Sequence, residues 1–271
     1  MTSMQLSIAR NPRIVHLVEL LSYRELLRNF VARDLKVRYR NSVLGFLWCL
    51  VNPLLMMVVY TVVFTVLLKS NIERFPVFIL IGILAWNLNS TALTGAAASI
   101  VSNAGLVMKV YFPRELLPLS VVLSNTVNFV LALVTLFGMV LVFQVHLGPS
   151  LLMLPVILLV QVIFCSGVAF LLSTLTVFYR DVEIITDTLM LAWFFLTPIF
   201  YRIEDVFPAY ARILYIANPM ASVIAAYRDV LYYGSWPALD FFSRTAVTAV
   251  VVFVAGYLFF NRFADRFAEE L

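Results

Sequence analysis

In an apolar chain the chemistry falls to its few charged and polar side chains, and in these 271 residues a single acid, Asp187, lies within an apolar run, about one turn from its start. It follows Glu183 by four residues, which puts both carboxyls on one helical face. They are expected to sit near a helix N-terminus. Proton- or ion-coupled carriers keep acids and histidines at bilayer depth, and this chain offers almost none. His16 lies in a charged N-terminal segment and His146 in a turn, so both read as surface rather than as ligand or base. The nine glycines form no GxxxxGK phosphate loop, so the chain cannot cradle ATP in that way and energy for any active transport has to come from another chain. There is no HExxH, no GxSxG and no acid pair deep in a cleft-forming segment, which argues against an enzyme, and no cofactor is expected on this chain. Cys49 and Cys165 fall in apolar runs and read as small buried hydrophobes.

The elements that position these residues are set by composition. Hydrophobic residues make up 63% of the chain and charged residues 13%, against about 25% charged in a soluble domain. An all-α integral membrane protein is expected, because one crossing of about 30 Å takes about 20 apolar residues. Uncharged runs place spans at about 43–68, 77–101, 119–143, 151–178, 184–201 and 245–260, six in all, filling a transmembrane domain over 43–261. The third and fourth share one uncharged stretch, 116–179, broken by QVHLGPS at 144–150, where Gly148 and Pro149 stop a helix. Apolar pieces within 203–240 are too short to cross and read as re-entrant or interfacial helices on the outer side. Six crossings put the N-terminal region 1–42 and the tail 262–271 on one side. Thirteen basic residues fall on that side and six on the other, so both termini are expected in the cytoplasm. The net charge of +4 follows this membrane asymmetry rather than pointing to a nucleic acid.

Two basal segments stand out. SYRELLRNFVARDLKVRYR, 22–40, carries Tyr23, Leu26, Leu27, Phe30, Val31 and Leu35 at helical spacing, opposite a basic face. Such a helix can lie in an anionic headgroup layer as an anchor or serve as a docking surface, and composition does not choose. VYFPRELLP, 110–118, can start a short helix at Pro113 with Glu115 in its first turn; spacing alone fits a tight connection equally well. Aromatics are dense around 48–64 and 193–201, where packing, interface belts and a sugar-stacking lining are all open.

Three stretches in order resemble the permease family of type-2 ABC exporters for O-antigen, capsule and teichoic-acid polymers: RDLKVRYRNSVLGFLW at 33–48 with the following Asn52-Pro53-Leu54, FYRDVEIITDTLMLAWFFLTPIFY at 178–201, and Asn218-Pro219 with Arg228 and Gly234. The resemblance covers nearly the whole chain. It implies an inner-membrane homodimer working with two copies of a cytoplasmic ATPase, which binds ATP and Mg, and moving lipid-linked polysaccharide. It also implies ATPase coupling through Arg33, Asp34, Lys36, Arg38, Tyr39, Phe112, Pro113, Arg114 and Glu115. A translocation path would be lined by Trp48, Tyr60, Phe64, Trp193 and Phe195, and an outer re-entrant segment would carry Asn218, Pro219 and Arg228. Export of a drug or small lipid by the same architecture is the alternative, with an ATP-independent flippase behind it.

Overall fold

The computed structural model describes residues 23–40, 45–67, 72–206 and 209–271. His16, Lys69, the ends of the first expected span and the Tyr39 side chain lie outside the described part. All regular structure among the described residues is helical, and five helices are long and apolar enough to cross a membrane.

Helix α1, Arg24–Tyr39, buries Phe30 and half-buries Leu26, Leu27, Val31 and Leu35, while its basic residues are exposed, Arg38 reaching α5 with its guanidinium. The amphipathic pattern is thus used for docking against α5, Leu116–Val142. Helix α2, Trp48–Thr61, contains Pro53 and passes into a π-helical stretch, Val62–Leu67. A proline inside a helix removes one backbone hydrogen bond, and π turns widen the winding, so α2 is an irregular rod. It is also poorly covered, with large apolar side chains such as Val58, Val59 and Val66 exposed.

Helix α3, Phe75–Ala98, is the central post. Its sequence is apolar all round rather than striped, as a helix enclosed by others requires. It packs against α2, α5, α6 (Leu154–Phe178), α7 (Asp181–Leu196) and α10 (Pro219–Leu231). A short α4, Ala104–Lys109, leads into α5, and the turn after α5 places Gln144 at φ 51° before a 3-10 segment, Pro149–Met153, enters α6.

Helix α7 covers 181–196, whereas the apolar run predicts 184–201. It starts earlier because Asp181 and Glu183 suit the positive end of the helix dipole. It stops at Leu196 because Pro198 forces the preceding residue into extended backbone, and Thr197 lies at φ −98°, ψ 136°. Beyond it, α8 (Ile203–Val206), α9 (Ala211–Ala217) and α10 form an outer cluster, with α10 largely buried. Helix α11, Leu239–Phe263, exceeds the expected 245–260 because Asp240, Arg244 and Arg262 still fit on its turns. It lies along α6 at backbone-to-backbone contact. A methyl group added at Gly167 would come within 2.5 Å of the Phe253 backbone nitrogen, and one at Gly256 would strike the Gly167 carbonyl. Small residues let two membrane helices meet backbone to backbone.

The expected tail is folded: α12, Phe267–Glu270, buries Phe267 completely among Phe170, Val177 and Phe260. The end of the bundle holding α1, α4 and α12 is called basal below, and the end holding α8–α10 distal.

Candidate docking face and interior cavities

At the basal end, the edge of the Phe30 ring meets Phe112, centroids 5.9 Å apart at 66°. Arg33 lies over Phe30 at 5.1 Å, reaches the neighbouring Asp34 at 3.2 Å and donates to Asn103 Oδ1 at 3.1 Å. Three expected coupling residues, Arg33, Asp34 and Phe112, therefore share one cluster that pins α1 to the loop before α5. Arg114 turns the other way and donates to the Ala264 carbonyl after α11. Pro113 closes the turn, its carbonyl accepting from the Leu116 N–H at 3.2 Å, and Glu115 is buried at the N-cap of α5, where the helix dipole favours an acid. Lys36 is exposed and stands apart. Arg38, though exposed, reaches across to α5 and donates to Asn125 Oδ1 at 2.9 Å.

Sequence reasoning passes over Tyr111, which is 96% exposed at the rim of a cavity of about 450 Å³ with Tyr23, Arg114, Glu115 and Asp265. An aromatic ring standing free beside charged groups is a common signal of a contact surface. Asn103 and Asn125 are also missed, because single asparagines give no pattern in sequence.

Two cavities, both open to the outside, flank α2. One, of about 450 Å³ toward α5, has Arg38, Trp48, Asn52, Thr91 and Asn125 on its wall, with Thr91 donating to Asn125 Oδ1 at 2.9 Å. The other, of about 400 Å³ toward α7, is lined by Tyr60, Trp86, Ser90, Thr94, Asp187 and Phe194. Met56 and Asn87 belong to both walls.

The aromatics expected on the path are dispersed. Trp48 and Tyr60 line one cavity each. Phe64, on the π-helical turn, stacks on Phe200 with centroids 4.9 Å apart and planes at 7°. Trp193 is turned inward: its indole N–H donates to Asn218 Oδ1 at 2.9 Å, and its ring stands edge-on to Trp86 at 5.8 Å. Phe195 points away and is 62% exposed. Phe194 between them is the aromatic of α7 on a cavity wall.

The distal residues form one capping device. Asn218 accepts from the Met220 N–H at 3.1 Å to start α10, with Pro219 as its first residue, and donates to the Leu196 carbonyl and to Thr197 Oγ1. Arg228 is 5% exposed and donates to the carbonyls of Pro198 and Ile199, both at 2.6 Å. Its guanidinium lies 3.5 Å from the Phe78 ring centroid, in room left by Gly82, where a methyl group would sit 3.1 Å from Nη2. The carbonyls that α7 leaves open at its C-terminus are thus met from α10, as backbone at membrane depth requires.

Among the described residues, an all-helical bundle with five helices long and apolar enough to cross a membrane defines a multi-pass membrane protein. The chain belongs to the ABC-2 type transporter family, whose model matches residues 25–232. It is 37% identical over 255 residues to the O-antigen export system permease protein RfbA of Myxococcus xanthus, covering 93% of this chain and 98% of that protein. Two proteins of the same name from Klebsiella pneumoniae are 34% and 32% identical over 242 residues, covering 88% of this chain and 92% of each.

Proposed function

We propose that this chain is the membrane-spanning subunit of an ATP-driven exporter that carries lipid-linked polysaccharide of the O-antigen type from the cytoplasm across the bacterial inner membrane. The observation that carries this is its near end-to-end match, at 37% identity, to an O-antigen export permease. In this reading α7 is a sixth crossing, and the short α8–α10 form a re-entrant outer segment. The basal end is cytoplasmic, in keeping with the excess of Lys and Arg there. Two copies of the chain pair, and two copies of an ATPase carrying ATP and Mg dock beneath them.

The pinned α1, the exposed Tyr111 and the turn holding Arg114 and Glu115 give the ATPase a rigid surface to push. Arg33, Asp34 and Phe112 keep that surface in place, and Lys36 is free to contact the partner. The path runs beside α2 and α7, whose uncovered faces a second copy would complete. Tyr60, Phe64 and Phe195 are its aromatic side chains, and Trp48 lies near its cytoplasmic mouth. A sliding polymer needs many weak, interchangeable contacts, and ring faces supply them.

The test is complementation. In a strain whose O-antigen exporter permease is deleted, this chain with its own ATPase should restore surface polymer carried by the same lipid. Polymer that accumulates inside while both subunits are present and assembled would refute the proposal.

A further inference from the structure

We infer, resting on the exporter function proposed above, that Phe267 is a positioning residue for coupling: it seats the tail 264–270 as a strut through which the docking turn at 110–115 moves the α6–α11 pair. The ATPase then acts on the bundle by two routes, one through α1 and α5 and one through the tail.

The tail is tied on both sides. Helix α4 has six residues, too few to hold its shape unaided, and it packs chiefly against α12. Phe267, the first residue of α12, is 0% exposed. Its ring stands edge-on to Phe260 of α11, centroids 5.2 Å apart, and to Phe178 at the end of α6, 6.3 Å apart. Val107 of α4, Phe112 of the docking turn and Leu116 at the start of α5 belong to the same buried cluster. A polar tie lies beside this apolar one. The Ala264 carbonyl, just past α11, accepts from the Arg114 guanidinium and from the Phe267 N–H, so both of its lone pairs are engaged and one oxygen joins the turn to the tail.

The other side of the turn leads elsewhere. Phe112 meets Phe30 of α1, and α1 lies along α5. Helices α6 and α11 are locked to each other at Gly167 and Gly256, where no side chain intervenes to give way. A close-packed interior transmits displacement, whereas a cavity lets its walls yield. With the ring of Phe267 removed, the turn stays attached to α1 and α5 and still presents its surface to the ATPase, but the α6–α11 pair no longer follows it.

The chain is produced with its ATPase in a strain lacking its own O-antigen exporter. Surface polymer is measured at matched permease levels, ATPase capture by pull-down, and ATP hydrolysis on the purified complex. Phe267→Ala should keep capture and hydrolysis within about twofold of the parent while surface polymer falls at least about fivefold, the low end of coupling between sites. Phe267→Leu refills the space with an apolar side chain and should restore polymer to within about twofold of the parent. Unchanged export by an assembled Phe267→Ala complex overturns this inference and leaves the exporter function standing; so does a loss of capture in step with export, which would make Phe267 a support of the docking surface alone. No surface polymer from the parent chain with its ATPase present overturns the exporter function and the inference with it. A second measurement needs no variant. In the parent complex, hydrogen exchange at 104–115 and at 264–270 should change together when a non-hydrolysable ATP analogue is added. A change confined to 104–115 overturns the strut even if Phe267→Ala fails to accumulate.

Discussion

Arg228 is the residue on which most of the distal end depends. It holds two carbonyls past the end of α7 and lies against an aromatic face, and no other side chain combines a planar fork with a weakly hydrated charge. Arg228→Lys keeps the charge but loses the fork, and Arg228→Leu loses both. Each should destabilise the purified protein, the leucine variant by about 3 kcal/mol, since hydrogen bonds to a charged group contribute about 1.5–3 kcal/mol and their loss leaves buried carbonyls open. Thermal unfolding in detergent, followed by size-exclusion profile, measures this; a Leu variant as stable as the parent would contradict the capping role. Trp193 and Phe195 separate the same way. Trp193→Ala removes a ring packed on Trp86 and a bond to Asn218 and should lower stability by about 3 kcal/mol or more. Phe195→Ala removes an exposed ring and should leave stability near that of the parent while lowering surface polymer at matched protein level. A stable Trp193→Ala protein, or full export by Phe195→Ala, would reverse these assignments.

At the scale of elements, the contact of α6 with α11 and the basal turn before α5 make separable predictions. Gly256→Leu forces α11 away from α6 and should abolish accumulation of folded protein, whereas Gly105→Ala, where an added methyl meets nothing within 4 Å, should be silent. Comparing the yield of monodisperse protein tests both. Arg114→Ala with Glu115→Ala removes a tie to the Ala264 carbonyl and the acid at the start of α5, and should reduce capture of the ATPase and polymer export together. Unchanged capture and export would reduce that turn to a simple connection. The helices at 75–98, 116–142 and 154–178 are legible because long uncharged runs broken by Pro, Gly and charge leave little choice. The ends of α7 and α11 are less so, because hydropathy ignores what a proline does to its predecessor and what a helix tolerates at its polar ends. The folded tail is signalled only by Phe263 and Phe267 at helical spacing, and apolar side chains four apart near a terminus fit many environments. Partners across the fold, such as Arg38 with Asn125 or Trp193 with Asn218, leave no trace in local pattern at all.

In the proposed reading the whole molecule divides labour with a separate ATPase. Purified alone, the chain should hydrolyse no ATP above background, because it contains no phosphate loop; sustained turnover by the rigorously purified subunit in a phosphate-release assay would contradict this. Its own contribution is a scaffold in which one mostly enclosed helix, α3, supports a firmly packed side built on α6 and α11 and a loosely packed side built on α2 and α7. Motion is cheapest on the loose side, where the cavities lie. The sixteen residues of α7 add a last consequence. At 1.5 Å per residue they reach about 24 Å, short of the roughly 30 Å of hydrocarbon in a bilayer. With α7 as the sixth crossing proposed above, lipid around so short a span would thin to meet it, pinching the leaflet beside α7 toward the midplane. The dry stretch that a hydrophilic chain traverses beside it would be correspondingly narrower, so that in this reading the protein reshapes its solvent as well as its cargo's route.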